Sequence, residues 1–201
     1  MRYLIIFIFL ISFGAKAQNY NAQIEAHRAN YKADFIKEER SPLKREDLKY
    51  LQFFEPDSNY RVNAKVKVLK NEKIFKMPTY DGTSKEFIRY AKVTFKLKDT
   101  TLSLTLYRNI SLLMNPAYKN LLFLPFTDLS NNKTSYGGGR YIDLDLKSIK
   151  KNKIEIDFNK AYNPYCAYSD GYRCPIPPEE NDLNTAILAG EKLYTGEKKH
   201  K

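Results

Sequence analysis

Residues 60–69 read YRVNAKVKVL, in which Val62, Ala64, Val66 and Val68 alternate with Arg61, Asn63, Lys65 and Lys67. A period of two belongs to a strand with one dry face and one wet face. The same alternation returns downstream. Ala91, Val93, Phe95 and Leu97 alternate with Lys92, Thr94, Lys96 and Lys98, and after a turn at Asp99-Thr100 the residues Leu102, Leu104 and Leu106 alternate with Thr101, Ser103 and Thr105. These two runs predict an antiparallel hairpin.

Working outward toward the N-terminus, the pattern changes. From Asn19 to Glu39, Tyr20, Ile24, His27, Tyr31 and Phe35 recur at spacings of four, three, four and four, one face of an amphipathic helix that Ser41-Pro42 stops. A short helical stretch over Lys44 to Gln52 and a turn cluster at Pro56 to Asn59 lead into the first strand. In the other direction, LLFLPF at residues 121–126 reads as buried, a polar loop covers Asp128 to Lys133, and strands are expected at Tyr141–Leu146 and Ile154–Phe158. Asp182 to Leu193 is read as a last helix, with Asn181 or Asp182 as its N-cap. The expected fold is α+β and mainly β, an antiparallel curled sheet or barrel with N- and C-terminal helices. Residues 18–195 form one globular domain and residues 196–201 a frayed tail.

Composition agrees with a folded chain. Of 201 residues, 43% are hydrophobic and 28% charged, which excludes collagen-like, coiled-coil and wholly disordered classes. The first 17 residues read as a cleavable export signal: basic Arg2, an apolar run from Leu4 to Phe13, then Ala15-Lys16-Ala17 before Gln18. That run is too short to cross a hydrocarbon core of about 30 Å. No cysteine follows the expected cleavage point, which argues against a lipoprotein and for a periplasmic or secreted protein without a transmembrane segment. Loss of Arg2 and Lys16 would take the formal charge from +11 to +9. Lysines on alternate strand positions read either as a solvated sheet face or as a surface for an anionic envelope partner. No basic run interleaved with aromatics marks a nucleic-acid groove.

The segment at residues 157–181, DFNKAYNPYCAYSDGYRCPIPPEEN, has neither period, and long irregular loops in compact domains are usually functional or disordered. Its Phe158, Tyr162, Tyr165, Tyr168 and Tyr172 supply the apolar area that disordered segments lack, so it is expected to be ordered. Folded over the mouth of the sheet, it would gather Asn159, Asn163, Tyr165 and Asn181 beside Arg140 and Tyr141 as a binding site for a polar or anionic small ligand, with Arg140 as a bidentate clamp. The rival reading is a hydrolase or transferase with Asp157 or Glu180 as general base. A structural reading of the same groups, as turn-ending and helix-starting residues, stays open beside both.

Cys166 and Cys174 are the only cysteines. In an oxidising compartment they are expected to form a disulfide, with a reactive thiol as the alternative. C-x7-C with a single histidine outside the tail does not match zinc patterns, and the oxygen donors form no spaced calcium loop. His27 lies on the apolar stripe, where a packed histidine is the simpler reading. Gly137–Gly139 precede a strand rather than a helix, so dinucleotide and P-loop readings fail and no cofactor is implied.

The stretches Pro125–Asp128, Ser135–Leu144, Asp157–Tyr168, Cys174–Asn181 and Ala189–Tyr194, with Ser41-Pro42-Leu43 upstream, form the pattern PFxD, TYGGGRYxDL, DFNxAYNPYCAY, CPxPPxEN and AGEKxY, Ser135 standing in place of Thr. This pattern resembles domain-of-unknown-function family 1684, uncharacterised exported bacterial proteins. The resemblance covers nearly all of the chain after residue 17; it implies a common fold and carries no activity.

Overall fold

The computed structural model describes residues 2–200, with side chains from Gln18 onward; the expected export signal at residues 1–17 lies outside the residues whose side chains are described. The chain opens with helix α1, Arg2–Lys37, whose Tyr20, Ile24 and Phe35 are buried as the four-and-three spacing requires. A six-residue 3-10 turn at Arg45–Tyr50 then leads to the strands.

Strands β1 (Arg61–Val68), β2 (Phe75–Pro78), β3 (Ser84–Leu97), β4 (Thr100–Asn109), β5 (Leu121–Asp128), β6 (Arg140–Asp145), β7 (Lys153–Asp157) and β8 (Asp182–Leu183) form one curled sheet. Its main path runs β6-β5-β4-β3-β1-β7, all antiparallel; β2 pairs with β3, and β8 adds in parallel to β5. The sheet is an open half-barrel, so of the two architectures expected the curled sheet forms. The β3–β4 hairpin has the register the alternation demands, with Val93 opposite Leu104 and Phe95 opposite Leu102. A bulge between Arg89 and Ala91 bends the long β3.

The inner face collects Ala64, Val66, Val93, Phe95, Leu104, Leu106, Leu122, Leu124, Ile154, Ile156 and Phe158 into the main core. A second cluster joins α1 to the 157–181 loop: Phe35, Leu43 and Leu51 with Tyr168. The loop is ordered. Tyr162 pairs backbone to backbone with Tyr141 of β6 (2.9 and 3.0 Å), and Ile176 donates its N–H to the Pro78 carbonyl at 2.8 Å. Cys166 and Cys174 are joined by a disulfide, with Cα atoms 6.2 Å apart.

One expectation fails at the C-terminus. Asp182–Leu193 is not a helix: after the two residues of β8 the chain is irregular, although Leu183 and Ile187 are buried as expected. The carbonyls a helix would use are taken instead by Arg140, which donates to Ile187, Ala189 and Glu191, while Gly190 turns the chain at φ +79°. The residues beyond it make contacts of their own. Lys198 and His200 meet Asp170 at 2.6 and 2.7 Å, Lys199 pairs with Asp47, and backbone bonds link Lys199 to Tyr168 and Asp170.

Candidate functional site

The residues expected to form a polar site are well ordered but mostly turned inward. Arg140 is fully buried and cannot clamp a ligand. Its guanidinium bonds to Asp128 at 2.8 Å and to three backbone carbonyls, and burial holds its pKa below the ordinary arginine value against the pull of Asp128. Gly139 makes this entry possible: at φ +83° it lies where a Cβ would meet the Phe126 carbonyl at 2.6 Å.

Asn159, Asn163 and Asn181 are buried and donate their amide N–H groups within the fold, while Asn163 Oδ1 has no partner among the described residues. Asn159 joins Tyr20 of α1 to Asp57, Asn163 donates to the Lys192 carbonyl at 2.8 Å, and Asn181 bridges Thr105 of β4 to Pro125 of β5. Asp157 accepts from Tyr20 and caps the turn at Asn159. Glu180 pairs with Arg89 at 2.7 Å and accepts from Tyr107, and the Arg89 bonds hold its pKa below the usual carboxylate range. That is the wrong direction for a general base near neutral pH. Neither carboxylate lines the cavity described next.

The loop does cover a cavity, of about 620 Å³, within the range of small-molecule sites. Tyr141 and Tyr165, both expected at the site, line it. The remaining wall was not legible as a site. It includes His27, Tyr31, Asp34 and Phe35 from α1, Lys85 and Phe87 from β3, Leu112, Leu113 and Tyr118 from the β4–β5 connection, Phe123 from β5, Asp143 from β6, and Lys160, Tyr162 and Arg173 from the loop. Only the stripe on α1 hinted at it, since His27 and Tyr31 are less deeply buried than Ile24 and Phe35.

The wall is aromatic with charges set into it. Tyr162 donates to Asp143 at 2.9 Å; crowding by protein pushes the Asp143 carboxyl above its ordinary range, and the Tyr162 bond opposes the shift. Burial and nearby Lys160 lower the His27 pKa. Lys85 is half-buried and, among the described residues, its side chain has no hydrogen bond or ion pair. Burial and then the adjacent Arg173 lower its pKa, and Asp81 opposes the shift. The nearby carboxylate, Asp81, accepts from Thr79 and Thr83 and lies 3.6 Å from Arg173. Among the described residues no group of three or more His, Cys, Asp or Glu side chains gathers to hold a metal.

No curated protein matches this chain. Its fold is similar to that of an uncharacterized protein of Haloarcula marismortui solved in solution by NMR, with 31% identity and a TM-score of 0.67 over 91% of this chain and 99% of that one. The family model described as a protein of unknown function (DUF1684) matches residues 46–192, and with that span covered the chain belongs to this family.

Proposed function

We propose that the protein is an exported, non-catalytic binding domain that holds a small amphipathic anion, an apolar or aromatic body carrying one acidic group, in the cavity under the 157–181 loop. The reading keeps the anionic ligand expected from the sequence but moves its contact from Arg140 to Lys85 and Arg173. One observation carries it: Lys85 is a half-buried cation in an aromatic wall, beside a second cation and without an ion pair among the described residues. Such a charge is costly unless something neutralises it, and an acidic ligand would do so. The tyrosine rings would supply flat contact area for the ligand body. Export is supported by the signal-like N-terminus together with the disulfide, a bond that persists in oxidising compartments.

The probe is 1-anilinonaphthalene-8-sulfonate, an aromatic anion that fluoresces in dry surroundings. It should saturate at one molecule per chain. Lys85→Met, which keeps the side-chain length, should weaken binding by about tenfold, the equivalent of one lost charge-assisted bond. Binding that is unchanged in Lys85→Met would remove the basis of the proposal.

A further inference from the structure

The cavity under the 157–181 loop carries two opposite charges that the sheet keeps apart. Lys85 stands on β3 and Asp143 on β6, with β4 and β5 between them, so the two are three strand spacings, or about 14 Å, apart across the sheet. Neither makes an ion pair among the described residues. Burial raises the Asp143 carboxyl, and the Tyr162 bond, not a cation, opposes the shift. The other charges of the wall are placed elsewhere: Asp34 pairs with Lys37 at 3.2 Å, Arg173 lies 3.6 Å from Asp81, and Lys160 stands near enough to His27 to lower its pKa. Between the two ends Phe87 and Phe123 stack, ring centroids 5.6 Å apart, as an apolar floor.

A group that arrives at Asp143 must donate. Tyr141 exchanges both of its backbone bonds with Tyr162, at 2.9 and 3.0 Å, and so faces the open edge of β6; Asp143, two residues on, turns its carbonyl the same way. Its carboxylate accepts from Tyr162 through Oδ2, at 2.9 Å. The carbonyl and Oδ1 are then two acceptors in one place, without a partner among the described residues, and an ammonium with three N–H donors serves both. On the other side, Lys85 and Arg173 suit a carboxylate. We propose that the ligand of this cavity is a short peptide with free ends and apolar or aromatic side chains, its ammonium on Asp143, its carboxylate on Lys85 and Arg173, and its body over Phe87 and Phe123. The inference rests on the anion-binding reading and adds a second end to the ligand. Length follows from the spacing: once the side chains reach inward, about three residues at ~3.4 Å each span the gap, whereas a single amino acid, with both charges on one carbon, cannot touch both ends.

The test is titration calorimetry of the full chain with the tripeptide Phe-Ala-Phe, beside its competition with 1-anilinonaphthalene-8-sulfonate. The free tripeptide should bind once per chain and displace the dye. N-acetylation, which removes the ammonium, should weaken it by about tenfold, and so should amidation of its carboxylate, each the loss of one charge-assisted bond. In Asp143→Asn the acetylation penalty should vanish while the amidation penalty stays; a merely structural role for Asp143 would weaken the free and acetylated peptides alike. Three results would overturn the inference and leave the anion-binding reading standing: dye that binds where the tripeptide does not, an acetylated peptide that binds as well as the free one to the unaltered protein, or an acetylation penalty that persists in Asp143→Asn. Failure of dye and tripeptide together would remove the site itself, and the inference with it.

Discussion

Arg140 and Glu191 grip the same piece of backbone from two sides. Arg140 holds the Ile187, Ala189 and Glu191 carbonyls, and the Glu191 side chain, fully buried, accepts from Tyr31 of α1, from Tyr168 and from the Asn163 N–H. Burial raises the Glu191 pKa to about 7, and the three donors oppose the shift. The folded chain therefore binds the proton more tightly than the unfolded chain, where a glutamate titrates near its ordinary value of 4.5. The stabilisation is complete below the ordinary value and is lost as pH rises through about 7. Urea unfolding should accordingly show stability falling between pH 5 and pH 7, by up to about 3 kcal/mol from this group. Glu191→Gln should flatten that slope and leave the variant the more stable form at pH 8; an unchanged slope would mean that the residue does not titrate there.

At the scale of elements, the turn into β6 and the irregular segment after β8 depend on glycine. Gly139 combines φ +83° with a Phe126 carbonyl where its Cβ would stand, so Gly139→Ala should cost at least about 2 kcal/mol, visible as a lowered melting temperature with the far-ultraviolet spectrum retained. β1, β3, β4, β6 and β7 were legible because alternation reports a half-wet sheet directly. β2 was not: it has four residues, and of these only Met77 is buried. The C-terminal segment misled for a related reason. Leu183 and Ile187 fit one face of a helix, but they fit an inward-facing irregular chain equally well, and local spacing cannot register that Arg140, some fifty positions earlier, takes the carbonyls. The sheet also carries a conflict: Lys67 stands opposite Lys92 and Lys65 opposite Lys153, on positions where like charges repel.

For the whole molecule, α1, the half-barrel and the 157–181 loop are one body. Tyr20 and Tyr31 of the helix, Asp157 and Tyr168 of the loop and Glu191 of the C-terminal segment share hydrogen bonds across more than a hundred positions of sequence. The loop should therefore resist exchange as the sheet does. In native-state hydrogen exchange, the amides of Tyr162, Asn163 and Ile176 should be protected to within about tenfold of those in β3. Exchange at the rate of an unfolded peptide would remove the roof of the cavity and the proposed site with it.

By itself the sequence determined the class of the fold: period-two runs leave a half-wet antiparallel sheet as the arrangement that keeps valines dry and lysines wet, and a four-and-three stripe asks for a helix in front of it. It also marked the 157–181 loop as ordered, because tyrosines in such number must be covered. Which polar groups of that loop face a ligand was decided only in three dimensions. Arg140, Asn159 and Asn181 look identical in sequence whether they line a pocket or close a fold, and burial distinguishes the two, a property of the surrounding chain rather than of the residue. Lys85, reading as one more lysine among 34 basic residues, becomes the group of interest because the fold half-buries it beside Arg173 without an ion pair among the described residues.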